Sequence, residues 1–324
     1  MAIPLKAIKL HQVTHAGDSP SLQTWGPLLA AYSSGQAQAN TLALYRVPAS
    51  ATSASNTVIE ARRDVPELLN ARLSKGPRPE HVIVLGADND PYPTDELGHR
   101  LTRRTLETCL AYQVPVAVIT RSPIIERDID LLQRLAEGPG CSVAIGITIF
   151  DTERARAFEP NSASPLRRLE TIERLARSNI PTVLSVAPAI WGISDTDLVR
   201  LLSAAGEARA QAVYYRRLQL EGEAVERLVS YVQAVIPSRA RRVAAGFKWS
   251  MSHDAAEDSM RQIIQYTAGG LGLEFLSDAP WIDGRATAPV SILEQDPAKR
   301  GEQLTLFGSE DAEDFTPAPP LPPV

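Results

Sequence analysis

Residues 81–150 read HVIVLGADNDPYPTDELGHRLTRRTLETCLAYQVPVAVITRSPIIERDIDLLQRLAEGPGCSVAIGITIF. Three β-branched runs stand out: His81–Gly86, Pro115–Thr120 and Ser142–Phe150. Between them, Leu97–Tyr112 and Ile125–Ala136 place apolar residues at three- and four-residue spacing, the mark of amphipathic helices. Strand, helix, strand, helix, strand is the pattern of parallel βα units joined by right-handed crossovers. The alternation continues outward from this stretch. Thr41–Arg46 precedes it, and Thr182–Ala187 and Ala212–Arg216 follow as strands. Pro165–Ser178, Asp195–Ala205 and Ala224–Val235 follow as helices, with Pro165 at a position that tolerates proline. Six such units predict an incomplete (β/α)6 TIM-like barrel, with a doubly wound open sheet as the alternative. A further amphipathic segment, His253–Ala268, is expected to close one face.

The chain has 324 residues, 44% hydrophobic and 22% charged, enough for a sizeable core. No run approaches the roughly 18 apolar residues of a membrane-spanning helix, and the N-terminus lacks a signal-peptide apolar region. A soluble cytoplasmic protein with no membrane contact is expected. The net charge of −5 argues against an overall basic surface for nucleic acid, so any such affinity needs a local patch or a partner. All but five of the 33 basic residues are arginine, which reads as composition bias. The two cysteines, Cys109 and Cys141, have neither zinc nor CxxC spacing. The histidines are scattered, and Asp88, Asp90, Asp95 and Glu96 lack the glycine and terminal glutamate of a calcium loop. No metal site is expected.

Residues 1–39 are read as an N-terminal extension, 40–236 as the barrel and 237–295 as a C-terminal helical segment. Residues 296–324 are acidic and Pro-rich, the composition of a disordered tail.

In parallel βα architectures the loops after the strands build the site. Here they carry Gly86-Ala87-Asp88-Asn89-Asp90-Pro91-Tyr92 with Glu96, then Thr120-Arg121-Ser122 with Arg127-Asp128, then Phe158-Glu159-Pro160 with Arg167. The loop after Thr182–Ala187 reads Pro188-Ala189-Ile190-Trp191-Gly192-Ile193-Ser194-Asp195. In order, from about Tyr45 to about Leu220, this set resembles the radical S-adenosylmethionine (SAM) proteins of the spore photoproduct lyase-like group. The resemblance implies a barrel of the radical SAM type. It also implies a [4Fe–4S] cluster held by a CxxxCxxC loop after the first strand. Here that loop follows Tyr45-Arg46-Val47, and the three cysteine positions fall on Pro48, Thr52 and Ser55. None is a thiolate, and two cysteines elsewhere are too few for a cluster normally ligated by cysteine. A SAM-facing Ser-x-Thr-Thr reads Gly146-Ile147-Thr148-Ile149, and the lysine of the second loop is Arg121. Reductive SAM cleavage is therefore expected to be lost and no cluster is expected, leaving SAM or a nucleotide as a conceivable ligand; fold alone does not transfer chemistry.

The candidate pocket is Asp90, Tyr92, Glu96, Arg121, Glu159 and Asp195. Asp90 or Glu96 is expected to cap the helix beginning near Leu97, and Glu159 to pair with Arg167. Trp191, where the family has proline, is read either as packing into vacated space or as a base-stacking platform with Tyr92, Tyr214 and Tyr215. Ser122 and Ser194 show no triad partner. Cys109 reads as a core residue.

Gln303-Leu304-Thr305-Leu306-Phe307 is out of place in the acidic tail. It resembles the bacterial sliding-clamp binding motif, which implies the β subunit of DNA polymerase III as a partner. Gln303 would enter a polar pocket while Leu304, Leu306 and Phe307 fill an apolar cleft. Tethering would raise the concentration near DNA without a basic face. The expected protein is a cluster-less, non-catalytic radical-SAM-like barrel acting at the clamp in DNA repair or damage-tolerant replication. The alternatives are a SAM-dependent radical enzyme acting on nucleic acid with its cluster ligated in another way, and a cluster-free enzyme using the old SAM pocket.

Overall fold

Strand order separates the two architectures. The computed structural model describes residues 41–42, 44–46, 60–61, 63–75, 82–86, 90–159, 161–218, 220, 222–250 and 255–276. The extension, Pro48, Thr52, Ser55 and the whole tail, including Gln303, Leu304, Leu306 and Phe307, lie outside the described residues. The parallel sheet contains β1 (Thr41–Leu42), β4 (Ile83–Leu85), β5 (Val116–Thr120), β6 (Cys141–Gly146), β7 (Thr182–Ala189), β8 (Ala212–Arg217) and β9 (Glu274–Leu276), hydrogen-bonded in that order. A doubly wound sheet reverses direction at a switch point. This one never does, so right-handed crossovers place every connecting helix on the same face.

Side-chain alternation agrees. Ile83, Leu85, Val116, Val118, Val143, Ile145, Leu184, Val186 and Val213 share one apolar cluster with helix residues such as Leu106, Leu132, Leu135, Ile172, Leu201 and Ile264. The intervening residues, Val82, Val84, Ala117, Ile119, Ala144, Val183, Ala187, Ala212 and Tyr214, form a separate buried cluster that contains no helix residue. A helix-free face that is nonetheless buried by mostly small side chains is the inside of a curled sheet, and the fold is a partial (β/α) barrel.

The helices are α1 (Val65–Leu73), α2 (Glu96–His99), α3 (Leu101–Ala111), α4 (Ile129–Glu137), α5 (Thr152–Phe158), α6 (Pro165–Arg177), α7 (Leu198–Glu207), α8 (Glu223–Val235), α9 (Pro237–Ser250) and α10 (Ala255–Gly270). Ser164 caps α6 by accepting from the Arg167 amide at 3.2 Å, with Pro165 in the first turn. None of the described helices is long and apolar enough to cross a membrane.

Four departures from the sequence pattern have local causes. Thr41–Arg46 is two strands: β1 joins the main sheet, while β2 (Tyr45–Arg46) pairs antiparallel with β3 (Glu60–Ala61). The helix expected over Leu97–Tyr112 breaks at Arg100, which is left-handed at φ 52°. The break lets the Glu96 carboxylate fold back onto the amides that start α3. The strand expected to reach Phe150 ends at Gly146, with a last rung from the Ile147 amide to the Ser185 carbonyl at 2.9 Å. A seventh strand, β9, adds to the edge of β8 after α10.

A third apolar cluster sits at the C-terminal ends of β6, β7 and β8. It joins Ile149, Ile190, Ile193 and Leu218 from the loops to Phe158 of α5, Leu228 and Val232 of α8, and Ala240, Val243 and Phe247 of α9. The end of the barrel where βα loops ordinarily present a site is thus partly capped.

Gly86, ending β4, has φ +96°, and a Cβ there would lie 2.0 Å from the Ile119 carbonyl oxygen. Gly86→Ala must therefore push β4 and β5 apart. A loss on the order of 3 kcal/mol is expected in urea unfolding. A loss below about 1 kcal/mol would contradict the close approach of these strand ends.

Candidate functional site

Asp90 is the hinge of the first two loops. Its Oδ1 accepts from the Thr120 hydroxyl at 2.6 Å and the Tyr92 amide at 2.9 Å, and its Oδ2 accepts from the Arg121 amide at 2.8 Å. These bonds tie the loop after β4 to the loop after β5. Asp90 therefore caps no helix; that role falls to Glu96.

Glu96 is completely buried and accepts from the Tyr45 hydroxyl, the Thr102 amide at 3.1 Å, the Arg103 amide at 3.3 Å and Arg127 Nη2 at 2.7 Å. Beside it lies the buried Asp128, which accepts from the Tyr92 hydroxyl at 3.1 Å, Arg103 Nη1 at 3.0 Å and Arg127. Two buried carboxylates thus meet two guanidiniums, with both phenols as further donors. Burial pushes the Tyr45 and Tyr92 hydroxyls well above the ordinary phenol range, reinforced by Glu96 and Asp128 respectively, so both remain protonated donors. The network is fully satisfied and anchors β2 to α3 and α4.

The second group lies on the concave face. Arg121 follows β5 and crosses over Gly146, where a Cβ would stand 2.8 Å from its Nε. Its Nη2 donates to the Thr148 hydroxyl at 3.2 Å and to the Ala187 carbonyl at 3.0 Å. Its Nη1 faces Glu159 Oε1 at 3.5 Å. Glu159 Oε2 accepts from Arg168 Nη2, and Arg168 also donates to the carbonyls of Gly146 and Ala163, each at 2.8 Å. All three side chains are buried. Burial would raise the Glu159 carboxyl, but Arg121 and Arg168 together hold it below its ordinary value. Burial, aided by Arg168 and opposed by Glu159, lowers Arg121. Arg121 Nη1, Glu159 Oε1 and the buried Ser185 Oγ have no hydrogen-bond partner among the described residues.

The expected Glu159–Arg167 pair is corrected. Arg168 faces the sheet, while Arg167, one helical step around α6, meets Glu126 at 2.7 and 2.9 Å. Asp195 stands apart from the pocket, accepting from Arg242 Nη2 of α9 at 2.6 Å. Trp191 packs against α9 too: a Cβ on Gly246 would lie 2.5 Å from its ring, and the Arg242 guanidinium sits 5.6 Å from its centroid. Tyr92, Tyr214 and Tyr215 are buried, with the last two on opposite faces of β8, so the four rings do not share one exposed face. Ser194 accepts from the Ile190 amide and Ser122 caps the turn at Pro123.

The structure thus brings Asp90, Arg121 and Glu159 together at the concave face, gathers Tyr92 and Glu96 in the adjoining network, and separates Asp195. Sequence reading missed Arg168, Ser185 and Arg242; the alternation of β7, which turns Ser185 inward with Val183 and Ala187, was the available signal for one of them. Cys109 and Cys141 both lie in the helix-facing core, where burial pushes each thiol up to about 12. Neither supplies a thiolate to the mouth, and the donor set does not fit an iron–sulfur cluster.

No family model matches the chain. An uncharacterized protein of Mycobacterium tuberculosis is 25% identical over 169 residues, 52% of this chain and 50% of the relative. One of Methanocaldococcus jannaschii is 23% identical over 143 residues, 44% of this chain and 51% of the relative. The chain spans about half the length of these curated relatives. Its structural neighbours include spore photoproduct lyase complexed with dinucleoside spore photoproduct, at 16% identity, TM-score 0.48 and 68% coverage of both chains. A mutant of spore photoproduct lyase gives 15% identity and TM-score 0.49, covering 68% of this chain and 69% of the other.

Glu159→Gln leaves two buried guanidiniums against no carboxylate, and a loss of about 3–5 kcal/mol is expected from denaturant titration at neutral pH. Because the folded carboxyl lies below its ordinary 4.5, its contribution is present above that value and is lost as pH falls through the folded value. The gap between wild type and variant should therefore narrow in acid. A gap independent of pH would contradict an ionised Glu159.

Proposed function

We propose that this protein is a radical-SAM-like barrel without radical chemistry, recruited to the bacterial sliding clamp by Gln303, Leu304, Leu306 and Phe307 and acting in DNA repair or damage-tolerant replication. The observation that carries the loss of chemistry is that Pro48, Thr52 and Ser55, at the cysteine positions the resemblance implies, supply no thiolate. Two further facts support it: Arg121, Glu159 and Arg168 engage one another on the concave face, and the apolar cap under α9 covers part of the barrel end. The clamp half of the reading rests on the match of the Gln303–Phe307 pentapeptide and on the peptide-anchoring logic of a few buried apolar side chains.

A second reading has its own observation. Among the described residues Ser185 Oγ has no hydrogen-bond partner, and Arg121 Nη1 and Glu159 Oε1 face each other at 3.5 Å without a hydrogen bond, an arrangement that a small polar ligand such as a nucleotide or SAM would complete. Under that reading the protein is a cluster-free enzyme or sensor. A radical enzyme with a cluster ligated in another way is the remaining alternative.

Clamp affinity of the wild type is expected to be micromolar or tighter and to be lost in a Gln303→Ala, Leu306→Ala, Phe307→Ala triple variant. Equal binding by both, or none by either, would overturn recruitment. Anaerobically purified protein should contain no stoichiometric iron and sulfide, whereas a cluster with SAM cleavage would reinstate the enzyme. A rise in melting temperature with SAM or a nucleotide, abolished by Ser185→Ala, would favour the second reading.

A further inference from the structure

The chain carries a net charge of −5, yet residues 227–253 contain five lysines and arginines and no carboxylate. Most of this stretch is α8 and α9, and four of the five cations, Arg239, Arg241, Arg242 and Lys248, belong to α9. A surplus of that size in an acidic protein is a local field of one sign.

The placement of α9 turns this surplus outward. Ala240, Val243 and Phe247 point into the apolar cap, and their spacing leaves the opposite half of the helix to solvent. Arg241 lies on that half and is exposed. Neither Arg239 nor Arg241 has an ion-pair partner among the described residues. Arg242 is half exposed (51%) although it bonds to Asp195 and lies over Trp191. Ser238 and Ala245, the other exposed residues of this half, are small, so nothing bulky keeps an extended polyanion from the helix surface.

The helix is also held rigidly. Trp191 fills the space above Gly246, and a Cβ on Gly192 (φ +87°) would lie 3.0 Å from the Val243 amide nitrogen. With the Arg242–Asp195 bond, the loop after β7 fixes α9 in place at the strand C-terminal end. The helix backbone and the Arg242 side chain are therefore held in place, which lowers the ordering cost of binding.

We propose that the outward face of α9, through Arg241 and Arg242 with the half-buried Arg239 at its flank, binds the phosphate backbone of nucleic acid directly. Phosphate contacts confer affinity without sequence preference, and the guanidinium fork of arginine matches phosphate oxygens bidentately. The surface makes the protein a direct reader of nucleic acid rather than one brought there only by its tail.

The test is fluorescence anisotropy of the full chain with a labelled duplex of about 20 base pairs, titrated over a range of salt. Arg239→Glu with Arg241→Glu is expected to weaken binding at least tenfold. It should also reduce the steepness of the salt dependence by about 0.9 for each phosphate that is no longer neutralised. Arg134→Glu with Arg177→Glu, the same charge change at the opposite end of the barrel, should weaken it less than about twofold. Glutamine at 239 and 241 should give an intermediate loss, which keeps the test valid if the charge reversal impairs folding. A parallel titration with the single strand identifies which form presents the backbone. No binding to either at low salt, or an equal loss in the two charge-reversed variants, would overturn the proposal. The Gln303, Leu306 and Phe307 triple alanine variant should bind DNA as the wild type does, so failure here is separable from failure of clamp recruitment.

Discussion

A guanidinium on the concave side of a parallel sheet is taken out of water and cannot be deprotonated, so its surroundings must compensate it. Arg121 is that group. The carbonyl of Ala187 and the hydroxyl of Thr148 take one nitrogen, Glu159 faces the other, and Gly146 must lack a side chain for the stem to pass. Glu159 in turn requires Arg168, which reaches back to the carbonyl of Gly146 at the end of β6. Residues after β5 and β6, within β7 and at the start of α6 are thus positioned around one buried charge. Here these groups face each other.

The same logic governs the first loops. Glu96 and Asp128 are buried carboxylates that persist because Arg103 and Arg127 neutralise them and Tyr45, Tyr92 and the amides of α3 donate to them. Asp90 then joins this region to Arg121 through the Arg121 amide. Removing any single partner leaves a buried charge exposed to its neighbours' field, so these networks fix geometry more than they add net stability.

Much of the fold was legible because it follows from period: β-branched runs alternating with amphipathic helices specify parallel βα units, and Pro165 marked the start of α6 within a residue. Elements made by tertiary packing were not. No residue type signals the break at Arg100, which lets the Glu96 carboxylate reach the amides that start α3. The segment holding α9 was read as helical, but not its seat, which depends on Trp191 lying against Gly246. Asp90, Arg121 and Glu159 were named from their loops and do lie near one another, whereas the partner of Glu159 was off by one residue. Loop sequence shows that Arg167 and Arg168 are near the mouth, but only the rotation of α6 decides which turns inward.

The central claim is that the concave face is occupied by its own mutually compensating charges. A double-mutant cycle on unfolding free energy with Arg121→Met and Glu159→Met, singly and together, measures it directly. Favourable coupling of about 1–3 kcal/mol is expected, with the double variant more stable than the sum of the single losses implies. Additive losses would contradict the account, since Arg121 and Glu159 would then be independent groups waiting on a ligand rather than on each other.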